Sequence, residues 1–240
     1  MKNNFWEEKV PPGYYDSVLT EGLERKRGIQ SNWHNLTFTK AKKYVDKDDN
    51  HLDFACGPGT FIGIYLYNKS VGVDISRNQI IYAKNKYGDS AEFYTLEEFD
   101  SKKLSESYDK ITLLGLLEFL DDSDNLEVLE KLYNLLKPGG VLILTTPNYN
   151  SFMYILEKIL NNIGDVGYNK QHINRFNKFS LNKLLKQTSF DEIEIKKFLN
   201  FSVFLSFIST NLSCLIEKFF ERVFNGFFGY LLIAKLKKKA

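Results

Sequence analysis

Cysteine, proline, methionine and histidine are all scarce in this chain. Two cysteines, Cys56 and Cys214, with no CxxC pair, exclude a disulfide framework and a cysteine-rich zinc site, so no metal is expected. That usage fits a reducing compartment, and residues 1–16 lack the apolar stretch of a signal peptide. A cytoplasmic location follows as the expectation. Charge of one sign is also missing: 32 basic residues face 30 acidic ones, for a net +2. Nothing here marks a nucleic-acid binder, and the one basic run is KLKKKA at 235–240. Long apolar runs are short of what a membrane needs. The nearest, FLNFSVFLSFISTNLSCLI, has no charge over its 19 residues, but seven of them are Ser, Thr or Asn. A spanning helix takes about 20 predominantly apolar residues.

What is present is a globular composition, 43% hydrophobic and 26% charged, over 240 residues. That length suits one domain. We expect an N-terminal arm and cap helices over 1–44 and the main domain over 45–240. Residues 1–13 carry Pro11, Pro12 and Gly13 and read as irregular; 14–44 read as helical. Then the pattern changes. Short strands are expected at 51–56, 70–75, 91–95, 108–115 and 141–147. Helices are expected after GPG at 57–59, at 79–87 and at 124–136, the last ended by KPGG. Beyond Pro147 we expect a helix to about 164, a polar loop to 177, and a helix at 180–188 with Ser180 as N-cap. A strand at 191–198, an apolar helical segment at 199–228 and a final strand at 229–237 complete the pattern. Strands alternating with helices define an α/β fold, a doubly wound and mostly parallel sheet. In such sheets ligands bind beyond the strand C-termini, beside the first strand.

The stretch LDFACGPGTF at 52–61 falls at that place. A glycine-rich first turn bares main-chain N–H groups at a helix start. Asp74, in VGVDIS, ends the next strand, where a carboxylate accepts hydrogen bonds from ribose hydroxyls. Asp53 sits just before the turn, placed to pair with a cation. Together these point to a nucleoside ligand with a positive end. A plain tight turn and a solvated strand end are the blander readings of the glycines and of Asp74. Their occurrence in register favours the ligand.

The same stretch resembles motif I of class I S-adenosylmethionine-dependent methyltransferases, an acidic residue followed by G-x-G. Asp74-Ile75, YDKITLLGLLEFLDD at 108–122 and LLKPGGVLILTTPN at 135–148 are similar to that family's later motifs. QHINRFNKFSLNKLL at 171–185 resembles a segment of the branch that includes ubiquinone-biosynthesis O-methyltransferases. The resemblance implies a seven-stranded Rossmann-like sheet and S-adenosyl-L-methionine as cofactor. It further implies cofactor contacts at Asp53, Ala55, Gly57, Gly59, Asp74, Ile75, Leu96, Leu114 and Gly115, with Glu97 near the adenine. The branch often reads Glu-His after the fourth strand, whereas this chain has Glu118-Phe119, which puts any role of that histidine in doubt.

For the chemistry, His172 lies in the loop on the ligand edge and is the expected base or substrate ligand, with a backbone-bonded loop histidine as the alternative. His51 is expected at the far edge and His34 on the N-terminal helix. Tyr14, Tyr15 and Trp33 are expected to close the site, with Asn148 and Tyr149 lining an acceptor pocket. The acceptor is expected to be a small molecule, a glycan or a lipid-linked intermediate. The Phe-rich 199–228 segment reads as internal packing, a homodimer interface or a peripheral membrane contact. Two rivals remain. One is a nicotinamide-dependent oxidoreductase, disfavoured because Ile62 stands where G-x-G-x-x-G needs its third glycine. The other is a non-catalytic relative acting through partners.

Overall fold

The computed structural model describes residues 5–66, 69–149, 153–154, 171–224 and 226–240. Seven strands, β1 (His51–Phe54), β2 (Ser70–Asp74), β3 (Glu92–Thr95), β4 (Tyr108–Leu114), β5 (Leu136–Pro147), β6 (Glu192–Phe198) and β7 (Leu231–Lys237), form one sheet. Their order is β3-β2-β1-β4-β5-β7-β6. β1 to β5 pair in parallel, and β7 runs antiparallel to both β5 and β6. The chain reverses direction across the sheet at β1, so the turn after β1 opens at the switch point.

Eight α-helices are described: α1 (Phe5–Glu8), α2 (Tyr14–Glu24), α3 (Ile29–Lys42), α4 (Arg77–Tyr87), α5 (Leu96–Asp100), α6 (Asp122–Leu135), α7 (Lys178–Leu185) and α8 (Thr210–Phe224). α6 shows how the sequence dictates its element. Asp121 caps it by accepting from the Asp124 N–H, and Leu129 and Leu132 on one face are fully buried. Each such leucine contributes roughly 1.5–3 kcal/mol of burial. Leu142 and Leu144 of β5 pack in the same cluster and Ile143 on the other face, all three solvent-free, as a central strand requires.

Several expectations are corrected. KPGG lies inside β5, where Gly139 takes φ +77° and the pairing with β4 shifts register. The helix expected after GPG is a single π-turn, Phe61–Tyr65. The 14–44 region splits at Gly28 into α2 and α3. Residues 5–8 of the arm are helical. α7 is capped by Asn177, with Ser180 donating back as the other half of the capping box. The uncharged run 198–216 is broken by Leu199 at φ +62° and a 3-10 turn, Phe201–Phe207. Among the described residues no helix is long and apolar enough to cross a membrane. Of the helix expected between Pro147 and 164, residues 150–152 and 155–164 lie outside the described residues, as does the first part of the loop to 177.

Asp16 joins the N-terminal helices to the sheet. Its fully buried carboxylate accepts from Thr60 Oγ1 (3.0 Å), Tyr82 (2.9 Å) and Tyr87 (2.6 Å), and it pairs with Lys86. Burial alone would raise its pKa, but these donors hold it below the usual range. Gln79 makes a second clasp: its side chain accepts from the Gly13 N–H and donates to the Pro11 carbonyl. Asp16→Ala strands the buried Thr60 hydroxyl and two half-buried tyrosine hydroxyls and should cost about 3 kcal/mol in urea unfolding. Because the folded pKa is depressed, this contribution is present above the unfolded value, roughly 3.9, and fades as pH falls through the folded one. The gap between wild type and Asp16→Asn should therefore narrow below about pH 4.

Candidate active site

The first βα turn is wound through left-handed backbone: Ala55, Gly57 and Gly59 have φ of +62°, +54° and +76°. The two glycines serve different ends. A Cβ on Gly57 would meet nothing within 4 Å, because this residue faces open space. A Cβ on Gly59 would lie 2.6 Å from the Phe93 ring, so that glycine exists to let the turn pack on β3. The Gly57 N–H donates to Asp74 Oδ2 at 2.8 Å, and the Ser76 N–H donates to Oδ1 at 2.8 Å. The second strand's carboxylate is thereby locked to the first strand's turn.

Asp53 lies behind them, almost fully buried, accepting from Thr112 Oγ1 at 2.6 Å. Thr112 in turn meets His51 Nε2 at 3.0 Å, and His51 Nδ1 meets Ser70 Oγ at 2.9 Å. With Asp53 ionised, the relay runs from His51 Nε2–H to Thr112 to Asp53. His51, at the far edge as expected, is the first residue of β1 and supports the site from beneath. Burial keeps its ring neutral, down to about 3. Desolvation raises Asp53 to about 7, with the Asp74 charge adding to it against the Thr112 bond. Burial also raises Asp74, opposed by the N–H groups of Ser76 and Gly57.

These groups open into a cavity of about 850 Å³. That is within the range of roughly 300–1,000 Å³ typical of small-molecule sites. Ala55, Gly57, Asp74, Ile75, Leu96, Leu114 and Gly115 line it with Asp53, so all but one of the expected cofactor residues meet there. Gly59 does not line it, for the packing reason above, and Glu97, not itself in the lining, is exposed on the first turn of α5 next to Leu96. Tyr14, Tyr15 and Trp33 form part of its wall, joined by Trp6, whose ring meets Phe119 edge-on at 4.8 Å.

Across the cavity stand two polar groups. His172 Nδ1 shares a 2.7 Å hydrogen bond with the Tyr149 hydroxyl, and its ring lies 4.9 Å from Phe119. Glu118, nearly fully buried, accepts from Thr146 Oγ1 at 3.0 Å, and burial raises it to about 7. Its main-chain carbonyl accepts from the Ile173 and Asn174 N–H groups, tying the His172 loop to the 3-10 turn Leu117–Phe119 that follows β4. The motif comparison singled out Glu118 only for the phenylalanine after it. Asn148 turns away, bonded to Gly229 and Tyr230.

Among the described residues the wall carries three carboxylates, Asp53, Asp74 and Glu118, and no lysine or arginine. A pyrophosphate would be repelled; a nucleoside bearing a cation fits. The open face at Gly57 and the paired carboxylates suit S-adenosylmethionine, whose sulfonium and ammonium are both positive.

Comparison agrees. Residues 24–195 match the family described as Methyltransferase domain, and the chain belongs to that family. It is an enzyme, an S-adenosylmethionine-dependent methyltransferase. Solved structures with a similar fold include a SAM-dependent methyltransferase from Archaeoglobus fulgidus, 20% identical over 85% of this chain and 94% of that one, with a TM-score of 0.60. Another, from Thermotoga maritima, is 16% identical over 95% and 100%, with a TM-score of 0.62. A Pyrococcus horikoshii protein is 19% identical over 99% and 97%, at 0.57. No curated protein matches the chain.

Substituting the two glycines should separate their roles. Gly59→Ala should lower the melting temperature more than Gly57→Ala, because only the former drives a methyl into Phe93. Gly57→Ala adds strain of order 1 kcal/mol at positive φ and a methyl on the cavity side. Its expected mark is a tenfold or greater loss of S-adenosylhomocysteine affinity by calorimetry.

Proposed function

We propose that the enzyme methylates an oxygen of a small molecule, a glycan or a lipid-linked intermediate. The observation that carries this reading is the cavity's division: cation-binding carboxylates beside the glycine turn, a histidine and a buried carboxyl opposite. The likeness of 171–185 to the ubiquinone-biosynthesis O-methyltransferase branch supports an oxygen acceptor.

When bound, S-adenosylmethionine supplies an electrophilic methyl group on a sulfonium. Asp74 would hold its ribose hydroxyls, and Asp53 its ammonium end. Ile75 and Leu96 would flank its adenine, with Ala55, Gly57, Leu114 and Gly115 forming the floor. The protein's own contribution is placement and dryness. Holding nucleophile and methyl in line supplies several kcal/mol, and the aromatic wall excludes water. His172 is proposed as the base. With its proton on Nδ1, donated to the Tyr149 oxygen, the basic lone pair is on Nε2. Glu118, neutral over much of the acid range, would receive the acceptor's hydroxyl or compete as base.

Calorimetric titration with S-adenosylmethionine, S-adenosylhomocysteine and NAD tests the cofactor half. Micromolar binding of the first two, lost in Asp74→Ala, is expected; binding of NAD alone would refute the reading. Since cation binding needs Asp53 ionised, affinity should climb as pH rises through about 7 and then level. Asp53→Asn should flatten that rise. Once an acceptor is found, His172→Asn should lower kcat by about 10²–10⁴ while leaving S-adenosylhomocysteine affinity unchanged. An undiminished kcat removes His172 from the chemistry. A pH–rate limb near 7 that disappears in Glu118→Gln transfers the base role to Glu118.

A further inference from the structure

Helix α8 is built inside out. A surface helix ordinarily turns its apolar stripe to the core and its polar face to water. Here the buried side chains are Thr210, Ser213 and Glu217. Asn32 donates to Ser213 at 2.8 Å. Glu217 accepts from the Leu199 and Asn200 N–H groups at 2.9 and 3.0 Å and from Ser202 at 2.9 Å. Outward point Leu212, Leu215, Phe219 and Val223, from 42% to 66% exposed and spaced at three or four residues along one stripe. The hydrogen bonds on the inner face fix this orientation, so the helix cannot roll its apolar stripe inward without stranding Glu217.

Charge on α8 is sorted in the same way. Its two acids face the protein: Glu217 as above, and Glu221 paired with Lys40 and Lys43. Its two bases, Lys218 and Arg222, are exposed, and helical spacing sets both on one flank of the apolar stripe. An apolar stripe edged by cations is the pattern of a helix lying in a membrane interface. A two-fold partner would present the same basic flank rather than its complement.

We infer that α8 docks on an anionic lipid surface, its apolar stripe sunk among the acyl chains and Lys218 and Arg222 among the headgroups. The turn leading into α8 places Phe204 in the cavity wall, and Tyr230, beyond the helix, lines it too. The segments entering and leaving α8 therefore reach the cavity, and the acceptor class this favours is a membrane-resident amphiphile. That last step rests on the function proposed above; the docking does not.

The test is vesicle co-sedimentation of the full chain with phosphatidylcholine alone and with an equal mixture of phosphatidylcholine and phosphatidylglycerol. S-adenosylhomocysteine titration and light scattering run alongside on every variant. Wild type should bind the mixed vesicles at low salt and release at high salt. Lys218→Gln with Arg222→Gln should weaken binding roughly thirtyfold, and Leu215→Ser with Phe219→Ser should abolish it, both with S-adenosylhomocysteine affinity intact. No binding of wild type to mixed vesicles overturns the inference. So does equal binding to both vesicle types, unaffected by either double variant. A concentration-dependent dimer without vesicle binding, lost in Leu215→Ser with Phe219→Ser, overturns it in favour of a second copy. Vesicle binding by a wild type that ignores S-adenosylhomocysteine would sink the cofactor reading and leave the docking standing.

Discussion

The site depends on one constraint, the left-handed backbone that the chain must keep as it leaves β1. Positive φ at Ala55, Gly57 and Gly59 turns the main chain sharply enough to aim the Gly57 N–H at Asp74. For Ala55 such a conformation costs of order 1 kcal/mol or more and persists only where its surroundings enforce it. Enforcement comes from two sides. The Cys56 N–H bonds the Val73 carbonyl on β2, and the Thr60 hydroxyl bonds Asp16 of α2. The N-terminal helices are thus braces for the turn as well as covers for the cavity.

Electrostatics follow from that geometry. Locking Asp74 to the turn brings a second carboxylate near buried Asp53, and the two repel. The free protein tolerates this because Asp53 can take up a proton and because the Ser76 and Gly57 N–H groups stabilise Asp74. A bound cation relieves the repulsion, so the discomfort of the empty arrangement is the origin of its selectivity.

The sheet and the cofactor side were legible from the chain because both rest on local patterns: apolar strands, a glycine turn, and an acid one strand later. Asp53, Gly57 and Asp74 each belong to a motif readable within a few residues. Gly59 was legible as a glycine but not as a packing glycine, since Phe93 is 34 residues away. Asp16 and Gln79 gave no signal at all, because their partners lie 44 to 71 residues distant. Burial, which defines His51 and Glu118, is a property of the fold. The inside-out α8 defeated any reading by hydrophobicity alone, for an apolar stripe announces that something covers it without saying what. KPGG follows the end of α6 as expected, but its pairing as strand was not legible, because a register shift between strands is decided by the partner, Tyr108 to Lys110 of β4.

The place of β7 has a consequence for how such a protein diversifies. β6 pairs with β7 alone, and the whole of 199–230 hangs between them at the edge of the sheet. The strands that present Asp53, Gly57, Asp74 and Leu114 lie side by side, β2, β1 and β4, and pair with neither. Residues exchanged on the outward stripe of α8 would therefore alter which surface the enzyme visits without disturbing the turn that holds its reagent. A lineage can move the same chemistry from one setting to another by rewriting a single hairpin connection.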